Sequence, residues 1–278
     1  MYSPIKKITA AVLLSIAILP SAFSADIARS LRNNTLENTD PENFFEIGLG
    51  AGAFVGSSLR DDDGEDAGLG LIIRGSYNWN GFFVDVLGEI SDPFVLGYNA
   101  YNNENWSFDV TLSQSWGGLN KEDDEVRFIG VDERESNTMF GGRLTGYFGK
   151  NILQFAIKHD VSSKSKGTVA SAVIGRNWQI RNWNFHGLAG LNYRDAKYND
   201  YFFGVSDSEA NNSDFSAYDG KASVSFNSSM GVTYPINENW IYRASVSLGS
   251  DLSENDSPLF AKNRDFYVGI GTSISYVF

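Results

Sequence analysis

Cysteine is absent from this chain and histidine occurs only twice. No disulfide and no thiolate metal site can therefore form, and imidazole for acid–base chemistry is confined to His159 and His186. Proline is scarce, at 6 residues, which leaves long stretches free to form strands. Long apolar runs are missing as well. Beyond Ser24 no segment is continuously apolar over the ~20 residues that a spanning helix requires. That excludes helical spans from the mature chain but not strands, which cross as short alternating segments. Cations are outnumbered, with 22 Lys and Arg against 34 Asp and Glu and a formal charge of −12. Such an acidic chain excludes nucleic acid as a partner, because phosphate binding needs clustered Lys and Arg. It is compatible with the outer face of a Gram-negative cell, where divalent cations bridge anionic lipid.

Glycine, at 28 residues, and aromatics, at 14%, are plentiful. Both suit a β-rich chain with close backbone approaches. Residues 1–24 carry a short positive region (Lys6, Lys7), an apolar stretch from Ile8 to Leu19 and small residues Ala22 and Ser24. They predict a secretory signal peptide cut after Ser24. Residues 25–42 are polar and aperiodic, and predict a periplasmic N-terminal extension. Residues 43–278 are expected to form the folded body.

The closing segment defines that body. Phe266, Val268, Ile270, Ile274, Tyr276 and Phe278 share one face of an extended strand, and Tyr267, Gly269, Gly271, Ser273 and Ser275 share the other. An apolar outer face, a small polar inner face and a terminal aromatic fit a closed barrel in lipid. Phe278, Tyr276, Ile274 and Ile270 form the expected insertion signal for the barrel-assembly machinery. Alternating segments at 44–55, 68–78, 82–90, 94–101, 105–116, 138–148, 151–160, 168–178, 183–193, 222–234, 240–250 and 265–278 predict an all-β transmembrane antiparallel barrel of about 12 strands, with 10–14 as the range. Tight connections rich in Gly, Asn and Pro alternate with longer polar ones, except at Ser91–Pro93. This predicts short periplasmic turns, long outer loops and both termini in the periplasm of an outer-membrane protein. Trp79, Trp106, Trp183 and Trp240 all flank the tight turns, as an aromatic girdle requires.

The same period directs Glu46, Arg74, Asp85, Glu89, Asp109, Arg143, Lys158 and Arg243 into the lumen. Mixed signs predict paired charges that fill a narrow interior. The segment containing Tyr201, Phe202 and Phe203 is aromatic and lies outside the spanning strands, as a contact surface or a lid over the barrel mouth. His159 and Asp160, followed by Ser162 and Ser163, contain the ingredients of a surface lipid hydrolase, but one strand end does not supply a triad. His186 is expected as a polar lumen residue. The acidic runs 61–66 and 121–125 lack the spaced ligands of a calcium loop. No catalytic, metal or cofactor site is predicted.

Tyr201-Phe-Phe-Gly-Val-Ser-Asp-Ser-Glu-Ala210, the strand ending at Tyr234 before Trp240, Asp256-Ser257-Pro258, and the closing Val268 to Phe278 strand together resemble the MipA/OmpV family of outer-membrane proteins. The resemblance implies an outer-membrane barrel without an established enzymatic activity. It also implies a scaffolding role, with a lytic murein transglycosylase and a bifunctional murein synthase as partners beside outer-membrane lipids and lipopolysaccharide. Osmotic adaptation and adhesion are linked to other members. A small-solute channel is the alternative that the charged lumen suggests.

Overall fold

The computed structural model describes residues 43–57, 65–86, 92–115, 119, 128–250, 256–260 and 264–278. The expected signal peptide, the N-terminal extension, Glu89, the run 121–125 and the start of the run 61–66 lie outside these residues.

Twelve antiparallel strands close on themselves in chain order, and β1 completes the ring against β12. They are β1 (Phe44–Val55), β2 (Glu65–Trp79), β3 (Phe82–Val86), β4 (Phe94–Asn102), β5 (Trp106–Gln114), β6 (Thr138–Phe148), β7 (Asn151–Asp160), β8 (Thr168–Ile180), β9 (Trp183–Arg194), β10 (Ser223–Pro235), β11 (Trp240–Ser250) and β12 (Phe266–Val277). Closure removes the free edges that an open sheet would expose to lipid. Among the described residues no helix is long and apolar enough to cross a membrane.

The outer face is apolar because alternate residues make it so. Leu49, Leu69, Ile157, Leu191, Phe226, Leu248 and Ile270 are all exposed. Trp79, 63% exposed, Trp183 and Trp240 stand on this face beside tight turns. Phe278, Tyr276, Ile274 and Ile270 lie on it at the closing seam, where the Phe278 N–H donates to the Phe45 carbonyl at 2.9 Å and its ring lies 5.7 Å from that of Phe45.

Local chemistry sets the turns. Asn80 and Gly81 both have positive φ, 49° and 85°, the conformation that a two-residue hairpin needs and that Asn-Gly supplies cheaply. β8 runs to Ile180, beyond the expected 178, because Ile180 pairs with Trp183 and leaves a two-residue turn. At the seam, a Cβ on Gly48 would stand 2.5 Å from the Ile274 carbonyl oxygen. Glycine lets β1 and β12 approach there.

Candidate functional site

The interior carries a belt of charge near the end formed by the tight turns. Asp109 lies three residues into β5, and its register partner Arg143 lies five residues from the end of β6. The Arg143 guanidinium donates twice to Asp109 Oδ2, at 2.7 and 2.9 Å, and lies 5.2 Å from the centre of the Phe83 ring. Asn99 Nδ2 donates to the other Asp109 oxygen at 2.7 Å and to Ser107 Oγ at 2.7 Å. Around the wall, Glu46 forms an ion pair with Arg243 and is in register with Arg74 on β2. Asp85 is buried, opposite Ser76 on one side and Val95 on the other. Lys158 belongs to a different level. It reaches Asp92 at the loop end.

Four of these groups are withdrawn from water: Glu46 is 1% exposed, Asp85 4%, Asp109 6% and Arg143 8%. Arg74, Lys158 and Arg243 are partly exposed. Thr111, Ser113, Thr145, Asn177, Asn192, Asn227 and Thr233, from strands around the ring, are buried too. Across the interior, Ile152, Val173 and Leu188 form an apolar cluster with Tyr147 against it. A buried charge is tolerated when an opposite charge and hydrogen bonds compensate for its lost hydration, which the Asp109–Arg143–Asn99 group achieves.

The mouth at the other end is covered by a folded cap. Between β9 and β10 the chain forms α1 (Ala196–Phe203) and α2 (Asp207–Asn212). Asp195 caps α1 by accepting from the Tyr198 N–H, and Ser206 and Glu209 form a reciprocal capping box on α2. The Glu209 carboxylate also accepts from the Asp132 N–H at 2.9 Å and from Arg134 at 2.6 Å. Arg134 in turn donates to the Gly204 carbonyl at 3.1 Å. Burial works against the charged Glu209, but the bonds from Ser206, Asp132 and Arg134 outweigh it and hold its pKa below the ordinary value of 4.5.

Tyr201, Phe202 and Phe203 belong to α1. The Tyr201 hydroxyl accepts from the Glu135 N–H at 3.0 Å and donates to its carbonyl at 3.3 Å. Phe202 is buried, and Phe203 stacks on Phe260 at 5.6 Å. Ser257 donates to the Phe203 carbonyl. The rings therefore tie the β5–β6, β9–β10 and β11–β12 connections into one lid, with Asn199 anchored to Ser223 Oγ at the barrel rim at 2.9 Å.

His159 does not meet its candidate partners. It is exposed on the outer face, with Nδ1 3.0 Å from Thr168 Oγ1. The Ser162 hydroxyl donates instead to Asp160 at 2.5 Å, whose carboxylate also accepts from the Lys166 N–H at 2.8 Å. His186 is partly buried on the inward face of β9. Among the described residues no group of three or more His, Asp or Glu could hold a metal ion. Arg134, Glu209 and Asp92 were not singled out from the sequence. Ser206-Asp-Ser-Glu209 carries a readable capping-box signal; Asp92 and Lys158, 66 residues apart, carry none.

A family model described as MltA-interacting protein MipA matches residues 49–278. Outer membrane protein OmpV of Vibrio cholerae is 25% identical over 231 residues, covering 82% of this chain and 84% of that protein. YiaT of Escherichia coli K12 is 27% identical over 234 residues, covering 82% and 90%. Among solved structures, the NanC porin superposes with a TM-score of 0.45 at 8% identity, covering 83% of this chain and 98% of that one.

Proposed function

This chain belongs to the MltA-interacting protein MipA family, and from that premise we propose that it is a closed, non-enzymatic outer-membrane barrel that acts as a scaffold. Its tight turns face the periplasm in this reading, where they and residues 25–42 meet peptidoglycan-cleaving and peptidoglycan-synthesising enzymes. One observation carries the choice of scaffold over channel. Two interior ion pairs, Glu46 with Arg243 and Asp109 with Arg143, satisfy each other's charge, and Glu46, Asp109 and Arg143 are almost wholly withdrawn from water, which supports a filled interior over a water path.

The test is binding of a purified murein transglycosylase and a murein synthase to the full protein in detergent. Deletion of residues 25–42 together with substitution of the turns at Asn78–Gly81 and Pro235–Asn239 is expected to abolish capture. Unchanged capture would exclude the mechanism. A small-solute channel remains the second reading, favoured by the charge of the interior. It demands discrete conductance steps in a planar bilayer that shift on Arg143→Ala.

A further inference from the structure

We propose that the outer wall from β6 to β9 holds one anionic phospholipid, its headgroup on Lys150, Arg176 and Arg181 and an acyl tail running into a groove above them. The first observation is the distribution of charge. In a chain of net charge −12, residues 138–159 and 168–194 contain no Asp or Glu but six Lys and Arg. Arg143 and Lys158 face inward and are paired with Asp109 and Asp92, and Arg194 is partly buried. The other three, Lys150, Arg176 and Arg181, are exposed, and their side chains have no hydrogen-bond or ion-pair partner among the described residues.

The fold sets Lys150 beside Arg176 and puts Arg181 five residues farther along the same hairpin, about 16 Å at strand spacing. Arg176 stands on the outward face of β8, in register with Asn151 on β7 and Gly187 on β9. The Asn177 N–H donates to the Lys150 carbonyl at 3.3 Å, which fixes the β6–β7 turn one residue from Arg176. The β8–β9 hairpin continues past that turn for four more residues to Ile180 and places Arg181 at its tip. On the projecting part, Trp178 stacks on Phe185 at 6.1 Å and 9°. Aromatic rings beside free cations mark the level at which a bilayer's headgroups lie. The β6–β7 and β8–β9 turns carry no acid; the flanking β4–β5 and β10–β11 turns each carry one, Glu104 and Glu238.

The second observation is apolar. A groove of about 800 Å³ opens on the lipid-facing wall. Its floor is low because Gly142, Ala170 and Ala172 have little or no side chain, and Phe140, Phe155 and Leu191 are among the residues that stand around it. Ala172 lies four residues beyond Arg176 on the same face of β8, about 13 Å along the strand. At a strand tilt of about 40° that is about 10 Å of depth, within the hydrocarbon of one leaflet. A chain anchored at Arg176 passes exposed Ile174 and ends in the groove. Free anions match the cations alone, and a zwitterionic lipid matches the groove alone. An anionic phospholipid matches both.

The full protein, folded in detergent, is offered equal phosphatidylglycerol and phosphatidylcholine with the same acyl chains, and bound lipid is counted by native mass spectrometry. Selective retention of phosphatidylglycerol is expected. Each of Lys150→Gln, Arg176→Gln and Arg181→Gln should weaken it about fivefold and the triple variant roughly a hundredfold, while Ala172→Phe should weaken it by filling the groove. Heat-modifiable gel mobility checks that each variant is folded. Equal retention of the two lipids, retention by the triple variant, retention unchanged in Ala172→Phe, or displacement of the lipid by millimolar inorganic phosphate would each overturn the assignment.

Discussion

Arg143 reaches Asp109 with two donors, and both partners are almost wholly withdrawn from water. Removing the cation leaves the anion buried and unpaired, which costs about 3–5 kcal/mol. Arg143→Ala is therefore expected to lower the unfolding free energy by an amount of that order, read from the denaturant midpoint and slope for loss of the heat-modifiable folded form. Arg143→Met with Asp109→Leu should cost much less than Arg143→Ala, because neither charge then remains. Strand period was enough to assign a face to Asp109 and Arg143, since one residue's direction follows from its neighbour's. Their pairing depended on the register of β5 with β6 across the 128–137 connection and the residues before it, which one sequence does not state. The Lys158–Asp92 contact joins strand ends far apart in the chain, beyond the reach of any local pattern.

At the scale of elements, β1, β6, β7 and β11 have the bounds expected from alternation, because a lipid-facing and a packed interior face leave no freedom of parity. The cap was harder to read. Its helices are 8 and 6 residues long, too short to be stable alone, so their order depends on contacts such as Arg134–Glu209 that only the closed barrel assembles. Those contacts are titratable. The folded pKa of Glu209 lies below its ordinary 4.5, so its stabilisation is full above that value and is lost as pH falls through the lower, folded one. Limited proteolysis of the 195–222 segment should thus accelerate in acid. Glu209→Gln should accelerate it at neutral pH, by loss of about 2 kcal/mol from charge-assisted bonds, and flatten the acid response. The seam offers a second test. Gly48→Ala puts a Cβ 2.5 Å from the Ile274 carbonyl oxygen, whereas one on Gly75 meets nothing nearer than 3.5 Å. The first should cost about 1–3 kcal/mol as overpacking and slow folding into vesicles; the second should be nearly silent.

For the whole molecule the question is how many barriers stand between the two ends. The cap is one: it draws the β5–β6, β9–β10 and β11–β12 connections over the mouth through Arg134, Asn199 and Phe203. The belt of Glu46, Arg243, Asp109 and Arg143 is another, nearer the opposite end and packed against its own wall. The two share none of these side chains, so opening one does not open the other. Replacing residues 196–220 with a short Gly-Ser linker should therefore leave the protein without conductance steps in a planar bilayer. Adding Glu46→Ala, Arg243→Ala, Asp109→Ala and Arg143→Ala removes the bulk and the charge of these two ion pairs together, so neither member of either pair is left behind alone. Steps that appear only in this combined variant are the expected result. Steps in the cap deletion alone would mean that the interior passes ions as folded, and would favour the channel over the scaffold.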